Sequence, residues 1–439
     1  MSNPYQVPCI YGQVQPGKKL AAEVPGSKSI TNRALLLATL AEGTSRLQGA
    51  LFSEDSRHFL SCIQELGFET QVEEEQRQIL VVGQGGAVPR AEASIYVGSA
   101  GTAARFLTAY LGVAKGRYHL DASPQMKRRP MAPLLTCLQE LGCQVRYREQ
   151  EGFFPFTLEG QGFGKQQITV DIGSSSQFLS ALLISSVLSR EELRIQVQGS
   201  HGMAYIDMTR RMMEQFGVAV EQRETPEGPE FRIPGGQSYQ ARAYRIEPDV
   251  SAACYFYGMA ALLGIAVTVP HVHFDSLQGD VEFLRILERM GCQVSDGEEG
   301  ITVLGPGQGR LEGVEADMSA CSDQAITLAA LAPFAQGPTR ITGIGHIRLQ
   351  ESDRIHGIAA ELGRMGIRCV EGRDDLEIYP GTPGPCLVNT YEDHRMAMGF
   401  SLVGLRAEGI AIDNPACCRK TFETYFSVLS ECVERLGQP

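Results

Sequence analysis

The sequence predicts an α/β protein of two similar domains, each built from three copies of one helix–strand unit. A short phrase, an amphipathic helix that ends in a hydrophobe and Gly, recurs six times. The intervals between the six glycines are 71–75 residues, and their positions are Gly67, Gly142, Gly217, Gly291, Gly366 and Gly437. This regularity indicates an internal repeat, and units of this length are large enough to be subdomains rather than turns of a solenoid.

Each recurring Gly is predicted to end its helix in the left-handed conformation, which Gly adopts without a Cβ penalty. An alternating run follows it, as at 68–72 and 143–147, and this alternation is typical of a strand. Upstream in each unit a second, more apolar helix is predicted, and a strand follows it in turn. These helices are predicted at 33–42, 101–112, 175–188, 250–264, 323–336 and 394–408, with following strands such as 44–48, 266–269 and 339–342.

Several of the upstream helices are apolar on nearly all sides, as at 33–40 and 325–334. Such helices must be buried on nearly every side, so we expect helices inside and sheets outside. Three units in each globule predict two domains with a cleft between them. We expect one domain from residues 1–25 with 247–439 and the other from residues 26–246.

Composition excludes several classes of protein. The 439 residues carry a formal charge of −12, which disfavours binding to nucleic acid or to an acidic membrane surface. Twelve Cys without a CxxC pair indicate reduced thiols in a cytoplasmic protein rather than a disulfide framework. The N-terminus has no basic region followed by an apolar run, so no signal peptide is expected. The apolar stretch 251–269 is broken by two Gly and predicts a buried helix leading into a strand, not a membrane span.

Basic and hydroxyl side chains gather near the predicted starts of helices in the first half of the chain. Lys28, Ser29 and Arg33 open the first helix, where free backbone N–H groups and cations together form an anion site. Pro130 predicts a helix start that directs Arg129 toward the positive end of the dipole. Other such segments are the Gly-rich entry at 98–105, which includes Gly101 and Arg105, and Ser174, Ser175, Ser176 and Gln177, for which ordinary N-capping is the alternative reading.

Acidic side chains stand among cations in the second half. Glu351 and Arg354 are three residues apart, and Asp323 starts an otherwise apolar helix, either as an N-cap or as an acid/base group. The cations near predicted helix starts are Lys28, Arg33, Arg105, Arg129, Arg354, Arg395 and Lys420. Their number in an acidic chain predicts a small polyanionic ligand that carries phosphate and carboxylate. The eight His are scattered, so neither a metal nor another cofactor is expected.

Together these segments resemble the enolpyruvyl transferase family, and within it the branch that acts on shikimate 3-phosphate. The matching stretches are 25–33, 100–105, 127–131, 175–177, 205–209, 278–281, 351–354, 393–398 and 419–422. The resemblance covers nearly the whole chain. It implies two inside-out α/β-barrel-like domains, each of three βαβαββ units, with the active site in the cleft between them.

The resemblance also implies a reaction and residue roles. The enolpyruvyl group of phosphoenolpyruvate moves to the 5-hydroxyl of shikimate 3-phosphate, and phosphate leaves. Asp323 would take the hydroxyl proton, Glu351 would add and remove the methylene proton, and Lys28 would assist catalysis. Phosphoenolpyruvate would be held by Lys28, Gly101, Arg129, Gln177, Arg354, Arg395 and Lys420. Shikimate 3-phosphate would be held by Lys28, Ser29, Arg33, Ser175, Ser176, Gln177, Tyr205, Asp323 and Gln350.

Departures from the family pattern concern the acceptor. Gln350 stands where a Lys is usual and Gly202 where a Ser is usual, although Arg348 or His201 could compensate. A different, unphosphorylated carboxylated cyclitol is therefore an alternative acceptor, and a non-catalytic repeat scaffold is a third reading. The nucleotide-sugar branch fits less well, because residues 121–126 hold no Cys. We expect a monomer.

Overall fold

Six separate β-sheets, one for each predicted repeat, organise the chain in this computed structural model. The structure describes residues 3–200 and 202–437. The strands are β1 (Tyr5–Gln6), β2 (Lys19–Ala21), β3 (Glu42–Gln48), β4 (Thr70–Glu73), β5 (Gln78–Gln84), β6 (Glu92–Tyr96), β7 (Gly116–Asp121), β8 (Gln144–Tyr147), β9 (Phe156–Gly160), β10 (Gln167–Asp171), β11 (Leu193–Gln198), β12 (Glu221–Thr225), β13 (Gly228–Ile233), β14 (Ala243–Arg245), β15 (Ala266–Pro270), β16 (Gln293–Gly297), β17 (Gly300–Leu304), β18 (Glu315–Asp317), β19 (Thr339–Thr342), β20 (Cys369–Glu371), β21 (Leu376–Ile378), β22 (Cys386–Val388) and β23 (Ile410–Ile412).

Five of the sheets share one four-stranded topology. In the sheet of order β6-β7-β9-β8, β6 is parallel to β7, and the β8–β9 hairpin joins β7 antiparallel through β9. The sixth sheet has three strands, with β22 parallel to β23 and the N-terminal β1 antiparallel to β23. Each sheet is open, so the barrel-like form that the resemblance implied is not a closed barrel in the described residues.

The most apolar helices form the core, as their sequence predicts. All residues of α3, α10 and α12 are buried, whereas strands such as β10 alternate exposed and buried side chains. Helices inside and sheets outside are therefore confirmed. The α-helices are α1 (Lys28–Leu40), α2 (Glu54–Glu65), α3 (Gly101–Val113), α4 (Pro124–Lys127), α5 (Ala132–Glu140), α6 (Gln177–Ser185), α7 (Met203–Gln215), α8 (Val250–Leu263), α9 (Glu282–Arg289), α10 (Ala325–Leu331), α11 (Arg354–Arg364), α12 (His394–Gly404) and α13 (Tyr425–Gly437).

The chain divides into two compact units, one from residues 1–25 and 247–439 and the other from residues 26–246. The second unit packs α1, α3 and α6 inside the three sheets formed by β3–β14. The first packs α8, α10 and α12 inside the other three sheets. The apolar stretch 251–269 forms most of α8 and β15, so the prediction of a buried helix that leads into a strand is confirmed.

Five of the six recurring glycines end their helices as predicted. Gly67 has a φ of 95°, and its N–H and that of Phe68 donate back to the Gln64 and Ile63 carbonyls at 2.9 and 3.1 Å. Gly142, Gly217, Gly291 and Gly366 also have positive φ. Gly437 is the last residue of α13 and of the described chain, so the left-handed conformation predicted there stays a prediction.

Three element predictions are corrected by the structure. The helix predicted at 323–336 is broken into a 3₁₀ turn (Ser322–Gln324), α10 and a second 3₁₀ turn (Ala332–Phe334), where Pro333 supplies no N–H. Pro130 does not open a helix, since α5 begins at Ala132. Lys420 lies at the end of a 3₁₀ helix (Pro415–Lys420) rather than near a helix start.

Candidate active site

The start of α1 holds a lysine beside a buried carboxylate. The Ser27 hydroxyl caps the helix by accepting from the Ile30 N–H, and Lys28 is the first helical residue. The Lys28 Nζ lies 3.4 Å from the Asp55 Oδ2, and the Asp55 side chain is 2 % exposed. Asp55 thus holds the ammonium group at the helix start. Sequence reasoning missed Asp55, although its place in the first turn of α2 is a position that favours carboxylates.

One turn further along α1, Arg33 is buried among neutral oxygens. Its guanidinium donates to the Thr209 hydroxyl at 2.7 Å and to the Ser29 and Tyr205 carbonyls at 3.0 and 3.3 Å. Burial lowers the pKa of Arg33 to about 10, so the group stays charged at neutral pH. No carboxylate of the described residues pairs with it. A buried cation without a counter-charge is costly, and an anionic ligand would remove that cost.

Arg129 and Gln177 converge on the start of α3. A Cβ at Gly101 would lie 2.9 Å from the Arg129 Nη1, 3.2 Å from the Arg105 Nη1 and 3.3 Å from the Gln177 Oε1. Arg129 stands between α4 and α5, where its N–H donates to the Met126 carbonyl at 3.0 Å. It is therefore placed by this short connection and by its contact with the start of α3, not by the predicted helix dipole. Glycine at position 101 leaves room for these side chains at the helix start.

The start of α6 and the start of α7 meet at Ser176. The Gln177 N–H donates to the Ser175 hydroxyl at 3.2 Å. Gly202 has a φ of 69°, and a Cβ there would lie 2.5 Å from the Ser176 Oγ. A Ser at position 202 would therefore be strained and would collide with Ser176, which accounts for the departure at this position. His201, the compensating residue suggested by the sequence, lies outside the described residues.

The other unit carries one arginine held by three carboxylates. The Arg354 side chain is 2 % exposed and donates at 2.8 Å to each of Asp323, Glu351 and Asp393. Burial by itself lowers the pKa of Arg354, but the three carboxylates outweigh it and raise the pKa above its ordinary value. One of these contacts, between Glu351 and Arg354, joins residues only three apart in the sequence. Asp393 was given no role at the sequence level, and its N-cap position before α12 was the available signal.

Two further cations bind the same carboxylates from the other side. The Arg395 Nη2 donates to the Asp323 Oδ2 at 2.7 Å, and the Lys420 Nζ lies 3.3 Å from the Glu351 Oε1. Each of the two carboxylates predicted to be catalytic therefore lies between two cations. Asp323 is not the N-cap residue of either helix at this point, since Cys321 precedes the 3₁₀ turn and Gln324 precedes α10, so the N-cap alternative is wrong.

Arg348 is already bound within its own unit. Its guanidinium donates to both Asp353 oxygens at 2.9 and 3.0 Å and to the Arg373 and Gly372 carbonyls at 3.0 and 2.7 Å, and it pairs with Glu371 at 2.8 Å. These contacts argue against Arg348 as a replacement for the Lys that the family has at position 350. Gln350 itself is half-buried, just after a 3₁₀ helix (Gly345–Leu349).

The described residues contain neither a metal-binding cluster nor a membrane-spanning helix. No group of three or more His, Cys, Asp or Glu there could hold a metal ion. No helix in residues 3–200 and 202–437 has the length and apolar character needed to cross a membrane.

Comparison with solved structures identifies the fold. An EPSP synthase from Acinetobacter baumannii superposes with a TM-score of 0.80 at 24 % identity and covers 98 % of both chains. The enolpyruvyl transferase NikO from Streptomyces tendae has a TM-score of 0.71 at 19 % identity and covers 96 % of both. Likeness at these identities shows the fold alone, and that fold is the one seen in enolpyruvyl transferases.

Sequence comparison then identifies the family. A family model described as EPSP synthase (3-phosphoshikimate 1-carboxyvinyltransferase) matches residues 14–429. A 3-phosphoshikimate 1-carboxyvinyltransferase from Trichormus variabilis is 45 % identical over 406 residues, which are 92 % of this chain and 94 % of the relative. One from Sulfurovum sp. is 40 % identical over 422 residues, or 95 % and 97 % of the two chains. The chain belongs to the EPSP synthase family.

Proposed function

We propose that this chain transfers the enolpyruvyl group of phosphoenolpyruvate to the 5-hydroxyl of shikimate 3-phosphate and releases phosphate. The observation that carries the proposal is the cluster of Asp323 and Glu351, each placed between two buried cations. A charged cluster of this kind is costly in a scaffold and useful in proton transfer beside an anionic substrate. Membership of the EPSP synthase family supports the same reaction.

The chemistry assigns roles to five members of the charged cluster. Asp323 accepts the proton of the attacking hydroxyl, and Glu351 gives a proton to the methylene carbon and later removes one. Positive charge that develops on the enol carbon is stabilised by the neighbouring carboxylate. Arg354, Arg395 and Lys420 bind phosphoenolpyruvate and stabilise the departing phosphate.

The residues at the starts of α1, α3 and α6 bind the substrates in this proposal. Arg33 takes the acceptor carboxylate, in keeping with its burial among neutral oxygens. The same acceptor contacts Ser29, Ser175, Ser176, Tyr205 and Gln350, while Gly101, Arg129 and Gln177 hold phosphoenolpyruvate and Lys28 contacts both. The acceptor set includes Gln177 and Asp323 as well.

Phosphate release with two acceptors tests the proposal. The purified protein is given phosphoenolpyruvate with shikimate 3-phosphate or with shikimate. Release with the phosphorylated acceptor alone is expected, although loss of a Lys–anion contact at Gln350 weakens binding by about 1.5–3 kcal/mol unless another group replaces it. Release with shikimate instead would favour the unphosphorylated cyclitol. Release with neither, from folded protein that binds phosphoenolpyruvate, would exclude the shikimate reaction.

Replacement of Gly101 by Ala is expected to raise the KM for phosphoenolpyruvate by about tenfold or more. The new Cβ displaces the Arg129 Nη1, which lies 2.9 Å away, and a charge-assisted hydrogen bond of ~1.5 kcal/mol corresponds to that change. Steady-state kinetics measure the effect. Gly112→Ala in the same helix is the control, since its Cβ meets Leu138 instead. That control lowers stability and leaves the KM unchanged; an equal rise in both variants would contradict the assignment.

The compartment is proposed to be the cytoplasm. All twelve cysteines are free, and nine of them are buried, which supports a reducing environment. The monomeric state stays a prediction.

A further inference from the structure

Asp280 is a buried carboxylate that the proposed mechanism leaves unused. It is 3 % exposed and lies in a 3₁₀ turn (Gly279–Val281) just before α9. Its Oδ1 accepts a hydrogen bond from the Gln324 Nε2 at 2.7 Å. Gln324 is fully buried and directly follows Asp323 in the chain. The carboxylate is therefore tied to the turn that carries the proposed proton acceptor.

The Gln324 side chain has both ends held. Its Oε1 accepts from the Thr327 hydroxyl at 3.0 Å, while its Nε2 donates to Asp280. The Gln324 N–H donates to the Cys321 carbonyl at 2.9 Å. Asp280 is itself placed by the preceding Gln278, whose side chain accepts from the Val250 N–H and donates to the Pro248 carbonyl. This chain of contacts leaves the Ser322–Gln324 turn little freedom to move.

We propose that Asp280 is a positioning residue for Asp323: through Gln324 it fixes the turn that bears Asp323, and its negative charge keeps the Asp323 carboxylate able to take a proton. The inference rests on the proposed function, in which Asp323 accepts the hydroxyl proton. Arg354 and Arg395 both bind Asp323 and oppose proton uptake there. A second negative charge nearby offsets part of that effect.

The charged and titratable groups that face Asp280 come from several elements. Burial, Asp323 and Asp249 raise the pKa of Asp280 to about 6, while Arg395 on α12 and the Gln324 hydrogen bond act against this rise. The Asp280 backbone carbonyl accepts from the Cys254 thiol of α8, and the Cys321 thiol is also nearby. Electrostatic coupling between two sites is mutual, so the charge on Asp280 favours a proton on Asp323 as much as the reverse.

A neutral side chain would serve the fold better. An Asn at position 280 could accept the same hydrogen bond from Gln324 without a buried charge. Because the pKa of Asp280 is raised on folding, the folded chain binds more protons than the unfolded chain between about pH 4 and pH 6. The contribution of Asp280 to the free energy of unfolding therefore falls as the pH rises from about 4 to about 6, and it stays low above pH 6. The charge is retained against stability, as expected if it serves the reaction.

The test compares Asp280→Asn with the parent chain across pH 5–9, with phosphoenolpyruvate and shikimate 3-phosphate. We expect the pH profile of kcat to lose one ionisation near pH 6 and the plateau to fall by roughly three- to tenfold, with both KM values within about twofold. Substrate phosphates ionise in the same range but identically in both assays. Gln324→Met removes the bond that lowers the pKa of Asp280, so the ionisation should move to higher pH.

Stability provides a readout that does not depend on activity. The Tm of Asp280→Asn should exceed that of the parent at pH 7.5, and the difference should shrink toward pH 5. Asp296→Asn, which removes a carboxylate bound to His273 in the same unit, should leave the kcat profile unchanged.

Two results would overturn the inference alone: a folded Asp280→Asn variant with the parental kcat profile, or one in which only KM changes. A parent chain that releases no phosphate with these substrates would overturn the proposed function and the inference together.

Discussion

Replacement of Arg354 by Met is expected to lower the free energy of unfolding by about 3–5 kcal/mol and to abolish turnover. The arginine is buried and donates to Asp323, Glu351 and Asp393, so its loss leaves three carboxylates close together without their shared cation. Breaking a buried ion pair by removing one partner typically has an effect of that size. Urea denaturation followed by circular dichroism measures the change.

The destabilisation should depend on pH in a defined direction. The difference from the parent should shrink toward acid pH, because protonation of the carboxylates left by Arg354→Met removes their mutual repulsion. Arg285→Met is the control: this exposed arginine pairs with Glu288 on one helix face, and its loss should change stability by less than about 1 kcal/mol. Equal effects of the two substitutions would contradict the role of the buried cluster.

Replacement of Glu351 by Gln is expected to lower kcat by about 10²–10⁴-fold, the usual range for loss of a general acid/base group. The amide oxygen can still accept from Arg354 or Lys420, so folding and the KM for phosphoenolpyruvate should change little. The proposed role of Glu351 also predicts that solvent hydrogen no longer exchanges into the methylene group of phosphoenolpyruvate. Rapid-quench kinetics and proton NMR measure the two effects.

Glu371→Gln is the matched control for this substitution. Glu371 also pairs with an arginine of the same unit, Arg348, but lies outside the cluster around Arg354. It should retain kcat within about twofold. If Glu351→Gln kept methylene exchange at the parental rate while kcat fell, Glu351 would not be the group that moves the methylene proton.

Much of the fold follows from local patterns in the sequence. The repeated Gly predicts five helix ends correctly because a left-handed helix end depends on a few neighbouring residues. Apolar residues on nearly all sides of α1 and α10 predict their burial for a similar reason. The contact between Glu351 and Arg354 is likewise local, since Glu351 lies three residues before Arg354, the first residue of α11.

The partners of Asp323 and Glu351 in distant segments could not be predicted from local sequence patterns. Arg354 meets Asp393 across 39 positions of sequence, and Arg395 meets Asp323 across 72. Such pairs depend on how buried helices pack, and a carboxylate beside a helix start has the same local sequence whether it caps the helix or binds a distant arginine. In the structure, Asp323 binds the two arginines and does not cap the helix.

The departures from the family pattern also divide into what the sequence shows and what only the structure explains. The sequence by itself identified Gly202 and Gln350 as unusual, and it determined the repeats, the buried helices and the family. Only the tertiary structure explains Gly202, through its positive φ and its closeness to Ser176, and removes Arg348 as a substitute cation, because that side chain is bound to Asp353 and Glu371. Periodicity and turn chemistry act over a few residues, whereas charge pairing and close packing act between segments that only the folded chain brings together.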